Sequence, residues 1–169
     1  MGVSLSGPVP AWIALGGNQG DVLATLDAAV AAIDASDGVR VLARSRNYRT
    51  PAWGRTDQPD FINAALAVES THPAPGLLAL LLDIERRFGR VRENDAARWG
   101  PRPLDLDLLV FGDQSLQLPG LELPHPRLHE RAFVLVPLAE IAPGLVVPGR
   151  GRVDELLARV DASGIQAIP

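Results

Sequence analysis

Apolar residues near the start of the chain follow first strand-like and then helix-like spacing. Residues 11–15 form a short apolar run that ends at a Gly-Gly-Asn sequence, which predicts a strand followed by a tight turn. After Asp21, a suitable N-cap, apolar side chains recur every three or four residues up to Ile33. This spacing predicts an amphipathic helix, and Gly38 lies just beyond its end.

The middle of the chain predicts two more strands and a second helix. Residues 39–48 and 61–69 are rich in strand-forming side chains, and the segment 50–59 between them has the proline, glycine and aspartate typical of a loop. Residues 73–88 carry an apolar stripe at helical spacing, with proline in the first turn. Glu85 interrupts this stripe. We expect it at the edge of the stripe, the alternative being a buried carboxylate with a polar partner.

The remaining chain contains one clear strand and several shorter elements. Residues 89–103 form a long charged connection, which is typical of a functional loop. A strand is predicted over 105–111, followed by a turn and a short apolar segment at 116–118. A proline-punctuated stretch then leads into an apolar helix that ends near Ile141, and a small helix is predicted over 153–160.

The order of these elements is β-α-β-β-α-β with further elements at the C-terminal end. This order predicts an α+β fold, a ferredoxin-like sandwich whose mostly antiparallel sheet is covered by helices. We expect residues 1–169 to form a single domain, because a chain of this length has a core of ordinary size.

Composition narrows the class of protein. An apolar fraction of 47% and a charged fraction of 21% are typical of a soluble globular protein. The net charge of −4 argues against nucleic-acid binding, and the absence of cysteine excludes disulfides and thiolate metal sites. The N-terminus lacks the features of a signal peptide, and no apolar run is long enough to span a membrane. We therefore expect a cytoplasmic protein.

The run RWGPRPLDLDLLVFGD at 98–113 carries the strongest chemical signal. Side chains alternate along a strand, so Asp105 and Asp107 share one face while the neighbouring leucines lie on the other. Paired carboxylates at this spacing suit Mg²⁺, and Arg98 and Arg102 offer forks that match phosphate oxygens. An Asp-x-Asp pair can also simply face water, but the adjoining arginines favour a nucleotide phosphate site.

Two other groups of residues suggest ligand contacts. Phe61 and Asn63 share a strand face, an arrangement that suits a flat heterocycle with donors and acceptors on one edge, although without the neighbouring motifs a core phenylalanine and a turn asparagine would be the preferred explanation. His125 and His129 are four residues apart, but the prolines around His125 disfavour a helical zinc pair. Together with Arg131, His125 either contacts phosphate or belongs to a basic surface loop.

Four sequence blocks carry a resemblance to a known family. They are ALGGNQGD, YRTPAWGRTDQPDFINAAL, ERRFGRVRENDAARWGPRPLDLDLLVFGD and LPHPRLHERAFVLVPLAEIAP. In this order they resemble the 6-hydroxymethyl-7,8-dihydropterin pyrophosphokinases of folate biosynthesis, over roughly residues 11–148. The resemblance implies transfer of the diphosphate of ATP to the pterin hydroxymethyl group, with release of AMP and the use of two Mg²⁺ ions.

The resemblance also implies roles for individual residues. The implied catalytic residues are Arg90, Arg102, Asp105 and Asp107, and the two aspartates among them are the implied metal ligands. The implied ATP-binding residues are Glu85, Arg92, Arg98, Trp99, Arg102, Leu108, His125 and Arg131. The implied pterin-binding residues are Thr50, Pro51, Trp53, Phe61, Asn63, Trp99, Asp105 and Phe133. In this arrangement Phe61 and Phe133 enclose the pterin ring, and Asn63 recognises its edge.

Two other functions remain open at this point. The Asp pair would also suit a Mg²⁺-dependent nucleotide phosphohydrolase, although the aromatic and amide residues around Asn63 argue against it. A non-catalytic ATP-binding relative is the second alternative, although neither aspartate nor Arg102 has been lost. We expect a monomer whose partners are ATP and the pterin, with neither a nucleic acid nor a membrane as a partner.

Overall fold

The structure, a computed structural model, describes residues 7–51, 59–89 and 103–168. The strands are β1 (Val9–Gly17), β2 (Val39–Arg44), β3 (Tyr48–Thr50), β4 (Phe61–Ser70), β5 (Asp105–Phe111), β6 (Leu116–Leu118), β7 (Leu121–Leu123), β8 (Val146–Val147), β9 (Gly151–Arg152) and β10 (Gln166–Ala167). The helices are α1 (Val22–Asp34), α2 (Ala74–Arg87), α3 (Ala132–Ile141) and α4 (Val153–Leu157), with a 3₁₀ helix at Leu128–Glu130.

The main sheet has β4 and β1 as neighbouring inner strands. β1 pairs with β4 on one side and with β5 on the other, while β2 and β3 both pair with the far edge of β4. Every strand pairing in the described part of the chain is antiparallel, and helices α1 and α2 occupy the two crossover positions of the βαββαβ order. The ferredoxin-like α+β prediction is therefore confirmed.

The prediction of one continuous strand over residues 39–48 is wrong. The strand is interrupted at Ser45, between β2 and β3. The Ser45 N–H donates to the Ala65 carbonyl at 2.9 Å, and the Ser45 hydroxyl oxygen accepts the Ala65 N–H at 2.8 Å. The hydroxyl thus replaces a backbone carbonyl in the ladder, which a sequence pattern does not reveal. After the break β3 continues to Thr50, so this residue belongs to a strand and not to the predicted loop.

Two apolar cores lie on opposite faces of the sheet. Ile13, Leu66 and Leu106 pack with α1 and α2 on one face. On the other face, Ala65 packs with α3 and α4. Because side chains alternate along each strand, the same sheet supplies residues to both cores.

The helices agree with the sequence patterns in most respects. The predicted N-cap Asp21 accepts the Ala24 N–H at 3.2 Å through its side chain, and α2 begins directly after Pro73. The last helix is shorter than predicted, since α4 ends at Leu157, and the hairpin partner β7 and the edge strand β10 were not predicted. Within the described residues, no helix combines the length and apolar character that crossing a bilayer requires.

Candidate active site

The two aspartates of the strand β5 share one face of the sheet. Asp105 lies opposite Gly16 and Asp107 opposite Ala14 in the pairing with β1, and both are partly buried. Leu106 and Leu108 project to the other face, where they are buried against α1 and α2. The predicted alternation is confirmed, and it brings two carboxylates together at the wall of a cavity.

Glu85 is buried beside the same strand. It lies in the last turn of α2 with only 2% of its surface exposed, and its Oε2 accepts the backbone N–H of Leu106 at 2.6 Å. The expected placement at the edge of the apolar stripe is therefore wrong, and the alternative of a polar partner is correct. β5 is an edge strand of the sheet within the described residues, so this outward N–H needs an acceptor from outside the ladder.

His125 is fixed by backbone contacts near the far end of β5. Its N–H donates to the Leu109 carbonyl at 2.8 Å, and its Nδ1 accepts the N–H of Arg127 at 3.1 Å. Burial and then the positive charge of Arg131 lower the pKa of the imidazole from its usual 6.5, although the carboxylate of Asp105 acts in the opposite direction. At neutral pH the ring is therefore neutral and carries its proton on Nε2.

A cavity of about 880 Å³ brings most of these side chains together. The sequence-predicted residues that line it are Glu85, Asp105, Asp107, Leu108, His125 and Arg131. The β6–β7 hairpin forms another wall with Gln117, Leu118 and Glu122, which the sequence analysis missed. The alternation of residues 121–123 was the available signal, because Leu121 and Leu123 are buried while Glu122 between them is exposed.

The donor set at this cavity suits Mg²⁺ better than zinc. No group of three or more histidine, cysteine, aspartate or glutamate side chains with metal-ligand geometry occurs among the described residues. His125 and His129 therefore lack a third protein ligand there, and the first of them precedes the 3₁₀ helix that contains the second. Mg²⁺ commonly takes one or two carboxylates and completes its octahedron with water and phosphate oxygens, and Asp105 and Asp107 can supply such a pair.

Asn63 lies in the same row of the sheet as Asp105. The strand pairing aligns Asn63 with Gly16, and Gly16 with Asp105. The Asn63 Nδ2 donates to the Thr50 Oγ1 at 3.2 Å, so the amide is tied to the end of β3. A Cβ atom on Gly16 would lie 2.6 Å from the Asn63 Oδ1, and only glycine leaves room for this carboxamide.

The two phenylalanines of the predicted pterin pocket lie on the α3 side of the sheet. Phe61 is two residues before Asn63 on β4 and shares its face with Ala65, which packs in the core that also contacts Phe133. Phe133 belongs to the first turn of α3, and the Arg131 guanidinium lies 5.6 Å from the centre of its ring. A guanidinium of the kind that can bind phosphate and a ring that can stack on a heterocycle are thus adjacent in space.

Asn18 is a further residue that the sequence analysis missed. It is 3% exposed, and its Nδ2 donates to the Pro59 carbonyl at 3.2 Å. This bond joins the turn after β1 to the residues that lead into β4. An asparagine directly after two glycines at a strand end was the available signal, because such residues hydrogen-bond backbone groups in turns.

Several predicted site residues lie outside the described part of the chain. They are Trp53, Arg90, Arg92, Arg98, Trp99 and Arg102. Pro51 is described, and it is exposed directly after β3.

Comparisons with known proteins point to one family. The family model described as 7,8-dihydro-6-hydroxymethylpterin-pyrophosphokinase matches residues 12–143. A Methylorubrum extorquens protein named 2-amino-4-hydroxy-6-hydroxymethyldihydropteridine pyrophosphokinase is 50% identical over 158 residues, which cover 94% of this chain and 98% of the relative. A Pseudomonas aeruginosa protein of the same name is 41% identical over 158 residues, or 94% of this chain and 96% of the relative.

Solved structures share the fold at much lower identity. The crystal structure of wild-type Plasmodium falciparum HPPK-DHPS with STZ-DHP has a TM-score of 0.69 and 12% identity over 92% of this chain. The match spans only 42% of that longer chain, so this likeness concerns the fold alone. Since the family model covers residues 12–143 and relatives of nearly equal length are 41% and 50% identical, the chain belongs to the 7,8-dihydro-6-hydroxymethylpterin-pyrophosphokinase family.

Proposed function

We propose that the protein transfers the diphosphate of ATP to the hydroxymethyl group of 6-hydroxymethyl-7,8-dihydropterin, giving AMP and the pterin diphosphate in folate biosynthesis. Family membership and the names of relatives that match it over nearly their whole length support this activity. The observation that carries the proposal is one cavity wall with two aspartates on β5 and a histidine and an arginine beside them.

The carboxylates of Asp105 and Asp107 would hold Mg²⁺, and we propose two ions. The metal would supply charge neutralisation of the triphosphate, which is the main requirement of phosphoryl-transfer chemistry. Because the two carboxylates share one strand face, they can act on the same phosphate groups. Their position opposite Gly16 and Ala14 in the sheet fixes them on a rigid element, which keeps the reacting groups aligned.

His125 and Arg131 would bind phosphate oxygens in the same cavity. Neutral His125 carries its proton on Nε2, because Nδ1 accepts the Arg127 N–H, so Nε2 is available as a donor. The guanidinium of Arg131 offers paired donors suited to phosphate oxygens. We propose that the predicted arginines outside the described residues, Arg90, Arg92, Arg98 and Arg102, complete this set with Trp99.

The pterin would lie over the row formed by Asn63, Gly16 and Asp105. Adjacent strands are separated by about 5 Å, so the backbones of Asn63 and Asp105 are about 10 Å apart across Gly16. A ring held at Asn63 could then direct its hydroxymethyl group toward the phosphate groups at Asp105. Phe61 and Phe133 would provide the stacking surfaces, and Thr50, Pro51 and Trp53 would border the ring.

The decisive experiment is nucleotide product analysis with purified protein, ATP and Mg²⁺, with and without 6-hydroxymethyl-7,8-dihydropterin. We expect AMP only when the pterin is present, in step with the diphosphorylated pterin. ADP or free phosphate formed regardless of the pterin would instead identify a nucleotide phosphohydrolase. A folded protein that binds ATP without any turnover would identify a non-catalytic relative.

We also propose that residues 1–169 act as a single-domain monomer. Both described cores are built on one sheet, which supports a single domain. A molar mass near 18.0 kDa in light scattering, with one cooperative unfolding transition, is the expected result. A dimer mass or two separate transitions would contradict this proposal.

A further inference from the structure

We infer that Glu85 is a positioning residue for Asp105 and Asp107, acting through the backbone of Leu106. This inference rests on the proposed function and assigns to Glu85 a role other than contact with ATP. The hydrogen bond from the Leu106 N–H to the Glu85 carboxylate, at 2.6 Å, is the observation that carries it. Leu106 is the residue between the two aspartates, so a shift of its backbone would move both carboxylates.

The surroundings of Glu85 explain why this bond holds the strand firmly. The neighbouring stripe residues Leu81 and Ile84 are fully buried, so α2 is fixed against the sheet by its apolar face. A carboxylate that accepts a backbone N–H makes a charge-assisted bond, which is stronger than the neutral bond of an ordinary ladder. Burying a carboxylate also costs free energy unless it accepts hydrogen bonds. The bond from the Leu106 N–H therefore helps to offset the cost of burying Glu85.

The position of β5 makes an external support necessary. β5 pairs with β1 on one side only, within the described residues, and the Leu106 N–H bonds to a helix and not to a further strand. A carboxylate in the last turn of α2 therefore supplies the acceptor that a neighbouring strand would otherwise supply. The same bond connects the end of α2 to the start of β5, so helix and strand are held in a fixed relation.

Two other roles for Glu85 make different predictions. If Glu85 contacts ATP in the cavity that it lines, its loss should raise the KM for ATP, and glutamine should not substitute for it. If Glu85 only stabilises the fold, its loss should lower the melting temperature without changing kcat in the folded protein. A positioning role predicts a loss of kcat that follows the loss of the Leu106 hydrogen bond.

The experiment compares Glu85→Ala, which removes the acceptor, with Glu85→Gln, which keeps an acceptor oxygen. We expect kcat to fall roughly 100-fold in the alanine variant, since a displaced catalytic group has an effect of this size. The glutamine variant should stay within about threefold of the parent, because a neutral hydrogen bond remains. The KM for ATP should change little in either variant, while the Mg²⁺ concentration for half-maximal rate should rise in the alanine variant.

Amide hydrogen exchange of the ligand-free, metal-free protein provides a readout that does not depend on activity. The Leu106 amide should be protected in the parent and in Glu85→Gln, and should exchange faster in Glu85→Ala. The matched control is Asp83→Ala on the same helix, which removes an exposed acid that pairs with Arg87 and should change neither readout.

Several results would overturn the inference. A raised KM for ATP with an unchanged kcat would assign Glu85 to ATP binding, and an unchanged kcat despite lost Leu106 protection would leave only a structural role. If the alanine variant does not fold, a glutamine variant with a large loss of kcat but a protected Leu106 amide would also contradict positioning. If the Leu106 amide is protected in the parent protein but no AMP is formed, the proposed function would be wrong, while the hydrogen bond from Leu106 to Glu85 would be confirmed.

Discussion

The side chain of Asn63 occupies the space directly above Gly16 on the neighbouring strand. The Asn63 Oδ1 lies 2.6 Å from where a Cβ atom on Gly16 would be, well inside normal contact distance. The backbone of Gly16 is not in the left-handed region, so its requirement for glycine comes from this close approach alone. The turn predicted at the Gly-Gly sequence is therefore wrong, because both glycines belong to β1, where Gly16 leaves room for the amide proposed to recognise the pterin.

Replacing Gly16 by alanine should weaken pterin binding selectively. The added methyl group would displace the Asn63 carboxamide, so we expect the KM for the pterin to rise about tenfold, equivalent to the loss of one hydrogen bond. The affinity for ATP, measured by calorimetry with a non-hydrolysable analogue, should be unchanged. Gly7→Ala is the control, since nothing lies within 4 Å of a Cβ atom there. Equal losses of pterin and ATP affinity would contradict this assignment.

Removal of Asp107 should nearly abolish turnover without unfolding the protein. The carboxylate is proposed to hold Mg²⁺ against the triphosphate, a contribution of several kcal/mol, so Asp107→Ala should lower kcat by a factor of roughly 100 or more. Because Asp107 is only partly buried, the far-UV circular dichroism spectrum and the melting temperature of the variant should stay close to those of the parent. Asp113→Ala, in the exposed turn after β5, is the control. Normal turnover in Asp107→Ala would refute the metal assignment.

Local patterns predicted the elements of this fold more fully than its long-range contacts. The strand β5 and the N-cap Asp21 were predictable because alternation and capping depend only on neighbouring residues. The break at Ser45 and the partner of Glu85 were not, because each depends on a backbone group 20 or 21 residues away. A carboxylate within an apolar stripe indicated that a partner was needed, but nothing local to α2 identified Leu106.

The candidate site shows the same division between local and long-range information. The aspartate pair could be predicted from the alternation of residues 104–108. Glu122 was missed although the Leu-Glu-Leu alternation of residues 121–123 was visible, because its approach to the cavity depends on the β6–β7 hairpin and not on its neighbours alone. The role of Gly16 was hidden as well, since it depends on the register between β1 and β4.

The contact between β3 and α3 should make stability depend on acid pH. Burial acts to raise the pKa of Glu140, but hydrogen bonds from the Tyr48 hydroxyl and from Arg46 outweigh it, so the pKa is lowered from 4.5 in the folded protein. The unfolded chain then binds a proton more readily than the folded one. The stabilisation of the fold by the ionised Glu140 is complete above pH 4.5 and is lost as the pH falls through the lower pKa of the folded state.

Substitution of Glu140 tests this linkage directly. Glu140→Gln should reduce the free energy of unfolding at pH 7 by about 1–2 kcal/mol, since the carboxylate is partly exposed and its bonds are weakened by water. The difference between parent and variant should shrink as the pH is lowered below 4.5 in urea titrations. Asp83→Asn is a suitable control, because this exposed carboxylate pairs with Arg87 one turn away on the surface of α2. A difference that stays constant with pH would show that Glu140 acts through packing and not through its charge.

Binding of Mg²⁺-ATP should be coupled to proton uptake at His125. In the free protein, burial and the charge of Arg131 lower the pKa of this imidazole from 6.5. Phosphate oxygens beside the ring would favour its charged form and raise the pKa, so binding should take up a proton at pH values between the two pKa values. The affinity for Mg²⁺-ATP should accordingly increase as the pH falls from the higher pKa of His125 in the complex to its lower pKa in the free protein. Below that lower pKa the affinity should level off.

Calorimetry in buffers of different ionisation enthalpy measures this uptake. Near pH 6.5 we expect more protons to be taken up per ATP analogue bound by the parent than by His125→Gln, which keeps a polar side chain that does not titrate, because the nucleotide's own phosphate contributes to both. His72→Gln is the matched control, because this histidine lies between β4 and α2 and bonds to the Asp37 carbonyl. If His125→Gln took up as many protons as the parent, the titrating group would have to be another residue, and the predicted coupling at His125 would be wrong.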